Sequence, residues 1–239
     1  MKNKVLFLLG MTMSVMTYGH SNPAFRLKEM GNTPPEFKLV GEGHETKSIN
    51  EYLAKSVQYP QGTASFGLLG TEVVEFVITA SGELTDLHVI NSISLDIDKE
   101  VIKVLQETSG KWNPGIINGV PANMKQEISV VYKPNANYNL DKIANNFYSK
   151  GIDKLLVDKD PKKALKNFNR AVSLLPYEES FLAARSLCKF ELGDEVGARQ
   201  DWDRIITLYK SANPQFRASK LNQEMNHLKG FAEMSQLLK

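Results

Sequence analysis

The sequence predicts an α+β protein in which a small antiparallel sheet with helices is followed by an all-helical domain of helical hairpins. Two observations predict this fold class. The residues from Thr71 to Ile90 predict a hairpin of two strands, with Val74, Phe76 and Ile78 on one face, and Ile128, Val130 and Tyr132 alternate between Lys125 and Lys133 as in a strand. Beyond residue 140, apolar residues follow helical spacing, and Ala164 returns in register as Ala198, 34 residues later.

The N-terminal residues predict export. Lys2 and Lys4 precede an apolar run from Val5 to Met16, and Thr17 and Gly19 after it are small enough for the recognition positions of a signal peptidase. The run is shorter than the ~20 residues that a membrane-spanning helix needs. We therefore expect a cleaved secretory signal peptide over residues 1–19 and a periplasmic protein, with an uncleaved inner-membrane anchor as the alternative.

Net charge argues against nucleic acid as a partner, and the cysteine count excludes an internal disulfide. The formal net charge of +2 falls to about zero once Lys2 and Lys4 are removed, so no basic surface for nucleic acid is predicted. Cys188 is the only cysteine, so the chain has no internal disulfide. Its apolar neighbours on a helical pattern predict a buried side chain.

The elements of the first domain follow in a simple order. Residues 20–48 contain several prolines and glycines without a sustained period, which predicts an extended arm or linker. A helix from Ile49 to Val57 follows a cap at Ser48. The remaining elements are a hairpin of strands 71–78 and 84–90, a helix over 96–108, turns at 112–115 and 118–119, and a last strand over 125–133.

Several short motifs in this region occur in a specific order: Tyr59-Pro60, Val73 to Ile78, Ser81-Gly82, Trp112-Asn113-Pro114-Gly115 and Asn118-Gly119. Over residues 34–134 they resemble the C-terminal domain of TonB energy transducers. Upstream, Pro35-Glu36-Phe37 and Gly41-Glu42-Gly43 resemble the lead-in of the version of this domain that is common in the Bacteroidetes. The resemblance assigns residues 49–134 to a TonB C-terminal-like domain.

The resemblance also implies a binding site. In this family the Tyr-Pro region and the final strand meet a short peptide of an outer-membrane receptor, which adds a strand to the sheet edge. Carried over to this sequence, the partner-binding residues are Ser56, Tyr59, Pro60, Met124, Gln126, Ile128 and Val130. Structural roles fall to Trp112, Pro114, Gly115, Asn118 and Gly119. The chain departs from the family at Ser56-Val57, where transducers often carry a Gln-Pro pair.

The second domain, residues 140–239, resembles a tetratricopeptide repeat array, whose period is 34 residues. Tyr148 and Gly151 begin the first helix of the first repeat, and Asp160-Pro161 opens the second. The predicted packing residues are Ala164, Phe168, Ala171, Pro176, Ala198, Trp202 and Ile205. Two repeats are fewer than the three usually needed for a stable array, so a helix over 216–238 is expected to cap the stack.

Nothing in the sequence favours catalysis. The four histidines are far apart, and metal-ligand spacing, a phosphate-binding loop and a nucleophile elbow are all missing. Asp96, Asp98 and Glu100 are explained by the N-terminus of a helix, where negative charge is stabilising. Asp201 and Asp203 are predicted to lie on a solvated helix flank. We expect no enzyme activity, cofactor or metal.

The function predicted from these observations is a non-enzymatic adaptor of the cell envelope that binds protein partners through both domains. Two alternatives stay open. One is a TonB-type energy transducer for an outer-membrane receptor, which would need the N-terminal segment to remain in the inner membrane. The other is a structural homodimer in which the sheet edge pairs with its own copy.

Overall fold

The computed structural model describes residues 32–38, 48–58, 68–133 and 137–212, with side chains described to residue 209. This part of the chain divides into two compact units, with the boundary between Asn139 and Leu140. The predicted signal peptide, most of the arm, Tyr59, Pro60 and the predicted capping helix lie outside the described residues.

A three-stranded antiparallel sheet forms the centre of the first unit. Its strands are β2 (Gly70–Ile78), β3 (Leu84–Asn91) and β7 (Met124–Tyr132), in the order β3-β2-β7. The predicted hairpin and last strand are thereby confirmed. Gly82 makes the hairpin turn with φ of +83°, and a Cβ atom there would collide with the carbonyl oxygen of Trp112, so both conformation and space call for glycine.

Two helices complete this unit. Helix α1 (Ile49–Ser56) is capped by Ser48, whose hydroxyl oxygen accepts the N–H of Glu51 at 3.2 Å. Helix α2 (Leu95–Gln106) is capped in the same way by Ser94 and matches the predicted helix within two residues at each end. Both helices pack on one face of the sheet, and the core contains Leu53, Val74, Phe76, Ile78, Ile97, Val101, Leu105 and Val130, all fully buried.

The turn predicted at residues 112–115 is wrong in part. Trp112–Asn113 form a strand, β4, which pairs with β1 (Glu36–Phe37) from the predicted arm. Two-residue strands have no periodicity, so their pairing could not be recognised from the sequence. Strands β5 (Gly115–Ile117) and β6 (Val120–Ala122) then form a hairpin across Asn118 and Gly119, whose φ angles of +52° and +80° suit a tight two-residue turn.

The second unit consists of helices α3 (Leu140–Leu156), α4 (Pro161–Leu174), α5 (Glu179–Glu191) and α6 (Glu195–Ala212). Helix α3 begins eight residues before the predicted start at Tyr148. Asp160 caps α4, with Pro161 at its first position, as predicted. The repeat residues Ala164, Phe168, Ala171, Ala198, Trp202 and Ile205 are at most 2% exposed, and Pro176 is buried.

Close packing inside the first helical hairpin depends on Gly151 of α3. A Cβ atom at this position would lie 2.5 Å from Cε1 of Phe168, so only glycine lets the ring lie against the α3 backbone. Tyr148 covers the same ring from the side, with the two ring centroids 5.7 Å apart, and stacks on Phe181 at 4.8 Å. Burial raises the pKa of Tyr148.

Candidate functional site

Strand β7 lies at one edge of the three-stranded sheet. It pairs with β2 over nine consecutive residues, from Gly70 opposite Tyr132 to Ile78 opposite Met124, without a register shift. Among the described strands, none pairs with its other side. An antiparallel edge strand turns alternate N–H and C=O groups away from its neighbour, so β7 offers a template for another extended segment.

The strand residues predicted to bind a partner lie on the inner face of β7. Ile128 and Val130 are 7% and 0% exposed and belong to the core, and Met124 is 9% exposed. Gln126 is half-buried and lies opposite Phe76. These four residues can therefore contribute to a partner strand mainly through their backbone groups.

The opposite face of β7 carries the side chains that a partner could meet. Lys125 and Glu127 are exposed, and Ser129 is half-buried. The ammonium group of Lys125 lies 2.8 Å from Oε1 of Glu75 on β2. The predicted partner-binding residues and these outward-facing side chains thus alternate along β7 and lie on opposite faces of the strand.

The other edge of the sheet, β3, is irregular. Its pairing with β2 shifts register twice, between Val73 and Val74 and between Glu75 and Val77. Asp86 on β3 has a φ of +50°, which breaks the extended conformation. Bulges and an exposed charge are the usual means by which proteins prevent strand addition at an edge. The two edges therefore differ in their capacity to accept a strand.

The predicted structural motif holds the corner of the first unit. Trp112 is 7% exposed, and its ring centroid lies 5.2 Å from Phe37 and 5.7 Å from Phe76. Its Nε1–H donates to Oγ1 of Thr108 at 3.0 Å, and that hydroxyl donates to the carbonyl of Leu105 at 2.6 Å. The indole ring thus connects β1, β2 and the end of α2.

The rest of the motif surrounds the β5–β6 hairpin. Pro114 is half-buried between β4 and β5, and a Cβ atom on Gly115 would collide with the side chain of Met124. Asn118 and Gly119 are exposed at the hairpin turn, and the backbone N–H of Asn118 donates to Oδ1 of Asn32 at 2.9 Å. Ser56, the last residue of α1, is half-buried.

A buried ion cluster closes the second helical hairpin. Asp201 of α6 is 4% exposed and accepts two hydrogen bonds from Arg185 of α5, Nε at 2.9 Å and Nη2 at 2.5 Å. The ammonium group of Lys189 lies 2.9 Å from the same carboxylate and also donates to the carbonyl of Gly197 at 3.2 Å. The prediction that Asp201 lies on a solvated flank is wrong, because two cations of the neighbouring helix pair with it.

Cys188 is fully buried on α5, and burial raises the pKa of its thiol to about 12. The reactive thiolate form is therefore disfavoured at neutral pH. Cys188 acts as a packing residue, as its apolar neighbours predicted.

Residues 55–134 match a family model. It is the model of the Gram-negative bacterial TonB protein C-terminal. The match extends from the last residues of α1 past the end of β7 and covers about a third of the chain. The resemblance inferred from the short motifs is confirmed over this range. No curated protein matches the chain.

A TonB C-terminal domain implies a protein of the bacterial envelope that takes part in protein interactions. The matched range contains both edges of the central sheet, Trp112 and the β5–β6 hairpin. In the part of the chain that the structure describes, no helix combines the length and apolar character needed to span a membrane.

Proposed function

We propose that this protein is an exported, non-enzymatic adaptor of the cell envelope that takes up an extended segment of a partner protein as an additional strand beside β7. One observation carries the proposal. The β2–β7 pairing runs for nine residues without a shift, which leaves a straight backbone template at the edge of a domain that matches the TonB family.

The irregularity of β3 supports the choice of edge. A partner strand needs a run of outward N–H and C=O groups at regular spacing, and two register shifts interrupt this run on β3. On β7 the backbone groups would provide affinity for the partner. Selection would come from side chains next to the added strand, where opposite charges across a strand pair contribute roughly 0.2–1 kcal/mol each. Lys125 and Glu127 offer one charge of each sign.

A photo-crosslinking amino acid placed at Lys125 tests the proposed edge. Both partners of the Lys125–Glu75 ion pair are accessible to water at their ends, so the substitution is expected to change stability by less than about 1 kcal/mol. After irradiation of intact cells, we expect a discrete covalent adduct with an envelope protein. Its crosslinked peptide should be an extended segment without helix-forming periodicity, as identified by mass spectrometry.

The matched control is the same crosslinker at His88, which is exposed on the opposite edge strand β3. We expect no adduct with that partner from this position. Equal adducts from Lys125 and His88, or an adduct from His88 alone, would contradict the assignment of the β7 edge. A crosslink between two copies of this chain at Lys125 would instead support the homodimer alternative.

The helical unit is proposed as the second recognition surface. We assign residues 140–239 to a tetratricopeptide-like domain, with a capping helix over 216–238 and a partner held by the helices. The support is the 34-residue register of six buried residues in two consecutive helical hairpins. The Bacteroidetes-type lead-in before residue 55 and the extended linker over 20–48 are likewise proposals from the sequence.

The TonB match itself favours a second candidate, an energy transducer anchored in the inner membrane, and the N-terminus distinguishes the two. For the adaptor we expect the native protein to begin near His20 and to occur in the periplasmic fraction. Intact-mass measurement after cell fractionation checks both points. A chain with residues 1–19 retained in the inner membrane would contradict the adaptor and favour the transducer.

A further inference from the structure

Glu72 lies on the buried face of β2, in phase with the core residues Val74 and Phe76. It is 1% exposed. Its Oε2 accepts the backbone N–H of Ile93 at 3.0 Å, while Oε1 is buried without a hydrogen-bond partner. A buried carboxyl oxygen without a donor costs free energy when the group is charged. The position therefore favours a protonated side chain.

Asp98 supplies the group that a proton on Glu72 would meet. It lies in the first turn of α2, and its carboxyl group is within hydrogen-bonding range of Glu72. The hydroxyl of Ser92 is 2.8 Å and 2.9 Å from its two carboxylate oxygens. Negative charge at this place is stabilised by the N-terminus of the helix. We therefore place the proton on Glu72. The protonated carboxyl group can donate a hydrogen bond to the carboxylate of Asp98, which two ionised carboxylates could not form.

Among the residues that the structure describes, Asp98 is the charged group that acts on the pKa of Glu72. From β7 the residue opposite is Val130, which is apolar. From β3 comes Asn91, whose side-chain amide donates to the carbonyl of Thr71 at 2.7 Å. Burial, followed by the hydrogen bond and the charge of Asp98, raises the pKa of Glu72 from 4.5 to about 8, against the opposing effect of the Ile93 N–H.

We propose that Glu72 and Asp98, with Ser92 and the Ile93 amide, form a proton-dependent latch that holds the β3–α2 corner against the sheet and releases it in mildly alkaline solution. The corner, residues 91–94, is held to β2 by the Asn91 and Ile93 hydrogen bonds. Loss of the proton would leave two negative charges facing each other, one on the buried Glu72 and one on the half-buried Asp98. Moving the corner outward lets water reach both carboxylates.

The direction of the pH effect follows from proton linkage. Because the folded state holds its proton more tightly than the unfolded chain does, the contribution of Glu72 to stability is complete below pH 4.5 and is lost as the pH rises to about 8. Within this window the unfolding equilibrium constant is expected to rise by up to about tenfold for each pH unit. Above about pH 8 this contribution becomes constant.

The test uses the full chain and compares the wild type with Glu72→Gln. Glutamine keeps the acceptor for the Ile93 N–H, and its amide can donate to Asp98, but it carries no titrating proton. We expect the amide resonance of Ile93 to titrate near pH 8 in the wild type and to show no such transition in the variant. Urea unfolding should show a matching difference, in which the wild type loses stability from pH 5 to 8 relative to E72Q.

Asp98→Asn provides the second variant. Removal of its charge lowers the pKa of Glu72 while burial remains, so the Ile93 transition should move to lower pH. A wild-type carboxyl resonance of Glu72 that titrates near 4.5 would overturn the proposal, as would an E72Q protein with the same pH dependence as the wild type. If E72Q does not fold, the wild-type titration and the direction of the D98N shift decide the question.

Discussion

Replacing Asp201 with alanine is expected to destabilise the helical unit by about 3–5 kcal/mol, because it leaves two cations without their partner in a buried position. The side chains of Arg185 and Lys189 are each 17% exposed, and both lose their contact with the Asp201 carboxylate. The loss should therefore exceed that of an ordinary surface ion pair several-fold.

The measurement is urea unfolding followed by Trp202 fluorescence in a Trp112→Phe background, so that the signal reports the helical unit alone. The matched control is Asp203→Ala, because Asp203 is two residues away on the same helix and exposed. We expect this control to change the free energy of unfolding by less than about 0.5 kcal/mol. A similar, small loss for both variants would show that the ion cluster contributes no more than a surface pair.

Replacing Trp112 with alanine is expected to destabilise the first unit by about 3–5 kcal/mol, the usual cost of removing a large buried aromatic side chain. The indole ring contacts Phe37 and Phe76, and its N–H bonds to the buried hydroxyl of Thr108. Its loss leaves a cavity where β1 meets β4. We therefore expect the paired segment at Glu36–Phe37 to lose its protection from hydrogen exchange first.

The Trp112→Phe variant separates the ring from its hydrogen bond. Phenylalanine keeps much of the apolar contact, while the Thr108 hydroxyl keeps its bond to the Leu105 carbonyl, so a loss of about 1–2 kcal/mol is expected. Circular dichroism and the hydrogen exchange of β2 amides check the first unit, and Trp202 fluorescence in the W112A protein should be unchanged. Equal losses for W112A and W112F would contradict a role in filling the core.

The longer elements of this fold could be predicted because each repeats its pattern several times. Strand β3 alternates half-buried and exposed residues over most of its length, β2 and β7 are nine-residue runs rich in Val and Ile, and α2 presents four buried residues at helical spacing. Strands β1 and β4 could not be predicted, since each has two residues and its pairing joins Phe37 to the distant Trp112. The start of α3 was placed late because only Tyr148 and Gly151 were matched to the repeat.

The site residues show where a local interpretation fails. The sequence of α6 alone predicts a solvated Asp201. Its partners Arg185 and Lys189 lie on the neighbouring helix α5, four residues apart on one face. In the first repeat, the positions 34 residues before Arg185 and Lys189 are Gly151 and Leu155. Alignment of the two repeats therefore shows that two cations stand where the first repeat has uncharged residues. Glu72 could likewise have been assigned to the core from its phase with Val74.

The difference between the two sheet edges limits how large an assembly built on this domain can become. A sheet that accepts strands on both sides can grow without end, as in fibrils. In the three-stranded sheet, the pairing of β3 shifts register twice, whereas β7 pairs with β2 over nine residues without a shift. One added strand would occupy the β7 edge, and the sheet would then gain no further strand at β3. If strand addition occurs at β7 as proposed, the expected stoichiometry at the sheet is one added strand per chain, supplied by a partner or by a second copy of the chain.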